Sequence, residues 1–165
     1  MVTAALDRIL ETLELMARAE ETVQRLYATC AVLWKEDEAF WRGLAGEERR
    51  HAKHIRSMIS ILTANPDRFQ PGRPFNAIEL KTFISGIERD IESVKQVNVP
   101  ELKALRLALD IEQAVIEARF TDIVRTEDKG FQYLAYGIVK DTTVHRRLVE
   151  QKIAERQAAE IMRGR

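Results

Sequence analysis

The sequence contains little cysteine, glycine or proline. Its 165 residues include one cysteine, 7 glycines and 4 prolines. The single thiol, Cys30, has no partner for an intrachain disulfide or a thiolate metal site, which suits a reducing compartment. Because proline interrupts helices and all four prolines lie outside the periodic apolar segments, the sequence predicts an all-α protein.

An excess of charge and a long apolar run are also missing. The 26 basic residues balance 26 acidic residues, so no electrostatic pattern indicates nucleic acid or an anionic membrane as a partner. Acidic residues interrupt the apolar positions of the N-terminal segment MVTAALDRILETLELM, which we expect to be neither a signal peptide nor a membrane span. We therefore expect a cytoplasmic protein.

Apolar periodicity predicts five helices in a single domain, residues 1–165. Short turns join the first two helices and the last two, so each pair is expected to form an antiparallel hairpin. A long crossover, which contains the remaining helix, connects the hairpins. This organisation predicts a ferritin-like four-helix bundle with an additional crossover helix. The predicted helices cover residues of about 4–33, 37–63, 77–94, 100–126 and 131–161.

Several polar residues fall on the apolar faces of these helices. Glu48 and His51 are three residues apart, so both project from one face of the second helix. Glu20 lies in the apolar stripe of the first helix. The second hairpin repeats the pattern at nearly the same spacing, with Glu112 followed by His145. Buried polar groups without partners are costly, so these five side chains are expected to meet around something that satisfies them.

Their types and positions indicate a metal centre. A site for two iron or manganese ions in a helical bundle takes one glutamate from each of two helices and a Glu-x-x-His pair from each of the other two. Carboxylate and imidazole ligands also suit zinc. The sequence supplies all of these residues except one, because Thr142 stands where the second pair requires a glutamate. We therefore expect one or two ions, which can be iron or manganese, with zinc also possible.

Three segments carry a resemblance to a known family. They are AEETVQRLY, which contains Glu20 and Tyr27, then LAGEERRHAKHI, then ALDIEQAVIEARF. With them the chain resembles the rubrerythrin-like branch of the ferritin-like superfamily, without the rubredoxin tail. The resemblance implies a di-iron carboxylate oxidoreductase that acts on peroxide, dioxygen or ferrous iron. It also implies a homodimer and an external electron donor such as a rubredoxin-type protein. The implied metal ligands are Glu20, Glu48, His51, Glu112 and His145, with Tyr27 and Thr142 beside them.

Alternatives remain open at this level. With Thr142 in place of a ligand, the alternative is a non-catalytic bundle with a relic or single structural metal site that acts through partner binding. The five polar residues can also form a metal-free hydrogen-bonded cluster. Asp141 is a weaker candidate to replace the missing glutamate, since it lies about 100° around the helix from Thr142. Tyr27 is either redox-active or a packed phenol, and His54 lies at the surface or beside the site.

Overall fold

A computed structural model describes residues 2–73, 76–114 and 123–163, and most of them are helical. Two short strands, β1 (Phe69–Pro71) and β2 (Val124–Thr126), pair antiparallel, with Phe69 opposite Thr126. The all-α prediction is therefore confirmed in its main feature, and the small sheet is an addition to it. The helices are α1 (Val2–Leu33), α2 (Glu38–Ala64), α3 (Ala77–Val94), α4 (Glu101–Gln113) and α5 (Lys129–Arg163).

Four of the five predicted helices have ends within two residues of the observed ones. The predicted helix 100–126 is wrong at Ala114, where α4 has ended at Gln113 and the backbone is extended, and at Val124–Thr126, which form β2. Residues 115–122 of that prediction lie outside the described residues. Ile123 and Val124 are buried in the core, and Val124 begins β2. Both are β-branched and fit a half-buried strand as well as a helix, so the apolar pattern did not separate the two.

The helices pack around two apolar clusters. Helix α1 lies against α2 and α3, while α5 lies against α2 and α4. One cluster joins the N-terminal half of α1 to the C-terminal half of α2 and includes Leu13 and Met58. The other joins the C-terminal half of α1 to the N-terminal half of α2 and includes Leu26 and Trp41. These opposite pairings confirm that α1 and α2 run antiparallel.

Polar contacts hold α5 near both of its ends. At its start, Asp128 accepts a hydrogen bond of 3.0 Å from the Phe131 amide and another of 3.0 Å from Arg68. Towards its other end, Arg156 donates to Asp37 at 2.8 Å and lies 2.9 Å from Glu101. An N-terminal carboxylate of this kind satisfies amides that the first helical turn leaves free. The two anchors fix the position of the central residues of α5, where His145 lies.

None of the helices that the structure describes combines the length and hydropathy of a membrane-spanning segment.

Candidate metal centre

Glu48 stands between the two histidines. Its Oε2 atom lies 3.2 Å from His51 Nδ1, and its Oε1 atom lies 3.1 Å from His145 Nδ1. The exposed fractions of Glu48, His51 and His145 are 1%, 0% and 3%. One ligand atom from each of the three residues falls within 4.8 Å of the others. The i, i+3 spacing on α2 brings Glu48 beside His51, and the packing of α5 against α2 adds His145.

A second carboxylate lies close to each histidine. Glu20 Oε2 is 3.9 Å from His51 Nδ1, and Glu112 Oε2 is 3.6 Å from His145 Nδ1. The two imidazole rings are stacked, with centroids 5.4 Å apart and planes inclined by 25°. The structure therefore brings together all five residues that the sequence selected, from α1, α2, α4 and α5. We refer to Glu20, Glu48, His51, Glu112 and His145 as the Glu/His cluster.

The donor atoms of the Glu/His cluster are suited to a transition metal. Among the described residues, Glu48 Oε1, Glu112 Oε2 and His145 Nδ1 are buried and face one another, with His145 Nδ1 3.1 Å from the Glu48 oxygen and 3.6 Å from the Glu112 oxygen. Two ligands that are each ~2.1 Å from one ion at angles of ~90–110° lie about 3.0–3.4 Å apart. The 3.1 and 3.2 Å separations between Glu48 and the two histidines fall within that range.

The charges in the cluster are strongly coupled. Burial raises the pKa of Glu48, but the neighbouring His145, His51 and Glu20 side chains outweigh it and hold the pKa at about 2. Burial lowers the pKa of His145, but Glu112 and Glu48 outweigh it and raise the pKa to about 10. Burial raises the pKa of Glu112 above its ordinary value. Without a metal, a protonated His145 therefore supplies the positive charge that the buried carboxylates require.

Thr142 contributes no carboxylate to the cluster. It is 9% exposed, and its hydroxyl donates a hydrogen bond of 3.0 Å to the Ile138 carbonyl of its own helix. Such a back-bond is common for a threonine inside a helix. The position that would hold the second Glu-x-x-His glutamate thus carries a side chain that bonds its own helix.

Asp141 lies on the far side of the His51 ring. Its Oδ2 atom is 3.6 Å from His51 Nε2 and accepts a hydrogen bond of 2.8 Å from Arg50. Because Glu48 faces Nδ1 of the same ring, Asp141 does not take the place of the missing bridging glutamate. It is instead placed to orient the imidazole, as carboxylates commonly do behind metal-binding histidines. Sequence reasoning missed this role, because the contact depends on how α2 and α5 face each other.

Tyr27 connects α1 to the cluster. It is completely buried, and its hydroxyl donates a hydrogen bond of 2.8 Å to Glu112 Oε1. This contact fixes one oxygen of Glu112 while the other faces His145. His54 is only partly buried, and burial lowers its pKa.

A groove of about 370 Å³ between α2 and α5 reaches the cluster from the surface. Apolar side chains, among them Phe40 and Leu148, dominate its lining, and His145 also borders it. Gly43 also borders the groove, and a Cβ atom added there would meet nothing within 4 Å. No pattern in the sequence predicts this groove, because it forms only when two helices that are distant in the chain pack together. A small molecule can approach His145 through it.

Comparisons of this chain with family models, with curated proteins and with solved structures found no match. The resemblance to the rubrerythrin-like branch therefore stays a prediction that rests on the motifs, and function has to be inferred from the geometry of the Glu/His cluster.

Proposed function

We propose that this chain is a ferritin-like bundle that holds two iron ions and acts as an oxidoreductase on peroxide, dioxygen or ferrous iron. One observation carries the proposal: the two oxygens of the buried Glu48 face different histidines, each of which has a further carboxylate beside it. A carboxylate shared in this way is suited to bridging two ions. Carboxylate and imidazole ligands from four helices are typical of di-iron and di-manganese bundle sites.

Each ion would receive three ligands from the protein. Glu48 Oε2, His51 and Glu20 would hold the first ion, and Glu48 Oε1, His145 and Glu112 would hold the second. Three carboxylates supply three negative charges against two divalent cations, so burial of the ions leaves only a small net charge. Coordination positions that remain are open to small molecules, as catalytic metal sites require.

When bound, the ions would supply the two electrons that reduce a peroxide. The surrounding side chains have positioning tasks. The Tyr27 hydroxyl holds Glu112, and Asp141 faces the back of the His51 ring. The groove beside His145 admits a small substrate, while the packed helices exclude bulk water. An external one-electron donor of rubredoxin type and a homodimeric assembly belong to the same proposal.

A second candidate is a single structural metal in a non-catalytic bundle that acts through partner binding. Thr142 favours it, because its hydroxyl bonds Ile138 and the second bridging carboxylate is missing. Glu48, His51 and His145 alone can hold one ion, since their ligand atoms lie within 4.8 Å of one another.

Metal analysis separates the two candidates. The protein is purified without chelators, loaded anaerobically with ferrous iron, desalted and analysed for metal per chain. We expect about two ions for a bridged site, against about one for the structural site. Replacing His51 by Ala should reduce the metal content, whereas His54→Ala on the same helix should not. Metal content well below one ion per chain in the loaded wild type would overturn both candidates.

A further inference from the structure

A continuous run of aromatic rings leads away from the Glu/His cluster. The Tyr27 hydroxyl bonds Glu112 at 2.8 Å, and the Tyr27 ring centroid lies 5.9 Å from that of Trp41. The Trp41 centroid lies in turn 6.2 Å from that of Trp34. Aromatic rings in contact have centroids about 4.5–7 Å apart. An electron that moves along this run therefore passes between adjacent rings and crosses no intervening side chain.

The run leads from the interior to the surface. Tyr27 and Trp41 are both 0% exposed, whereas Trp34 is partly exposed. Trp34 lies between α1 and the 3-10 turn Lys35–Asp37, at the end of the first hairpin. The three residues thus connect the buried end of the run, at Glu112, to solvent.

Both buried rings have a carboxylate placed to accept their proton. The phenol proton of Tyr27 points to Glu112, and Trp41 Nε1 donates a hydrogen bond of 2.8 Å to Glu101 Oε1. Removing an electron from a phenol or an indole makes its O–H or N–H far more acidic, so an acceptor at hydrogen-bond distance eases the oxidation. Packing alone would not require a carboxylate at both positions.

We propose that Tyr27, Trp41 and Trp34 form an electron relay between the Glu/His cluster and the surface at the end of the first hairpin. The relay rests on the proposed function for its oxidant, which is hydrogen peroxide reduced at the cluster. Each hydrogen peroxide takes up two electrons and two protons and yields two water molecules. A soluble one-electron reductant supplies the electrons at Trp34, one at a time, and the protons come from solvent.

Each electron passes from Trp34 to the cluster in three transfers, and a fourth transfer from the external reductant restores Trp34. Tyr27 gives an electron to the cluster while its phenol proton shifts along the hydrogen bond to Glu112. Trp41 then returns an electron to Tyr27, whose proton comes back, and the indole proton of Trp41 shifts to Glu101. Trp34 finally reduces Trp41, which recovers its proton, and the external reductant restores Trp34. The relay ends in its starting state, so the net change is one electron delivered to the cluster.

The composition of the chain allows a direct test without metal. The sequence has 3 tyrosines and 2 tryptophans. Tyr133 and Tyr136 are 78% and 64% exposed and lie outside the relay, so the double variant Tyr133→Phe/Tyr136→Phe leaves Tyr27 as the last tyrosine. The chelated, metal-free double variant is oxidised by azide radicals in pulse radiolysis, which attack Trp34 because it is the tryptophan that solvent reaches. We expect indolyl radical absorbance to decay while tyrosyl absorbance grows, at a rate that is independent of protein concentration.

Three further substitutions in the Tyr133→Phe/Tyr136→Phe variant test whether the electron passes through Tyr27, Trp41 and Trp34. Tyr27→Phe should abolish the tyrosyl absorbance. Trp41→Phe should abolish the growth of tyrosyl absorbance whose rate is independent of protein concentration. Because Trp41 is fully buried and its replacement can destabilise the fold, Trp34→Phe is the second test, and it should remove the growth by removing the point of entry. Circular dichroism verifies that each variant is folded.

An indolyl radical that decays without any tyrosyl growth would overturn the relay. So would tyrosyl growth at the unaltered rate in a folded Trp41→Phe or Trp34→Phe variant. Since no metal is present, failure of the relay is distinct from failure of the proposed function, which the metal content decides.

Discussion

The two halves of the Glu/His cluster differ in what their helices supply. In the half formed by α1 and α2, Glu48 and His51 come from one helix and Glu20 from the other. In the half formed by α4 and α5, Glu112 and His145 are present, but Thr142 bonds the Ile138 carbonyl. In the proposed metal centre, the second half would therefore depend on Glu48 of the first half for its third ligand.

Because of this asymmetry, one side chain, Glu48, serves both halves of the cluster. Glu48 contacts both histidines, and its pKa of about 2 keeps it ionised. Glu112 instead has a raised pKa and is held by Tyr27. Two histidines and three carboxylates can thus serve two ions only while Glu48 is shared.

Replacing Glu48 by Gln should weaken binding at both metal positions, because the amide is uncharged and its single oxygen cannot be shared between two ions. We expect affinity to fall by roughly 100-fold or more, beyond the ~10–100-fold that residues orienting a ligand contribute. Anaerobic ferrous titration with metal analysis measures the effect. Glu79→Gln, an exposed carboxylate on α3, is the matched control and should bind as the wild type does. If a folded Glu48→Gln protein still bound two ions, the proposal that both metal positions share the Glu48 carboxylate would be refuted.

Replacing Thr142 by Glu should restore the second bridging carboxylate and make the halves alike. We expect the second ion to bind about ten-fold more tightly, about 1.4 kcal/mol. In Thr142→Gln the new side chain has nearly the same volume as glutamate but no charge, so this variant controls for crowding at the buried position. Competition of iron-loaded protein with a calibrated chelator measures the affinity. Equal affinities of the two variants for the second ion would show that a carboxylate at this position does not bind it.

Replacing Tyr27 by Phe should weaken the α4–α5 half alone. The change leaves Glu112 Oε1 buried without its 2.8 Å hydrogen bond, which we expect to lower the free energy of unfolding by about 1–3 kcal/mol. Urea denaturation of the metal-free protein measures this change. Tyr136→Phe, at an exposed position of α5, should have no such effect. Equal stability of the two variants would mean that the contact with Glu112 contributes little.

Replacing Asp141 by Asn should give the smallest change, confined to the α1–α2 half. The carboxylate orients His51 from 3.6 Å and holds Arg50, so we expect affinity for the first ion to fall about ten-fold. Asp67→Asn, on an exposed turn, is the control. Chelator competition again measures the affinities. A loss of affinity for the second ion and not the first would contradict the assignment of Asp141 to the α1–α2 half.

Sequence reasoning selected the residues of the cluster because their signals are local or repeated. The spacing of Glu48 and His51 follows from the helical period, and the second hairpin repeats the glutamate and the histidine. The contact of Asp141 with His51 and the groove beside Gly43 depend on how α5 rotates against α2. No pattern within one helix contains that information.

The small sheet was missed for a related reason. Ile123 and Val124 continue an apolar run that fits a helix, and the pairing of β2 with residues 69–71 decides in favour of a strand. That pairing joins two distant segments of the chain.

An anomalous-difference map of crystals loaded anaerobically with ferrous iron, measured at the iron absorption edge, tests the shared Glu48 most directly. We expect two peaks, one between Glu48 Oε2 and His51 Nδ1 and one between Glu48 Oε1 and His145 Nδ1. A single peak that contacts both histidines, or no peak at the Glu/His cluster, would contradict it.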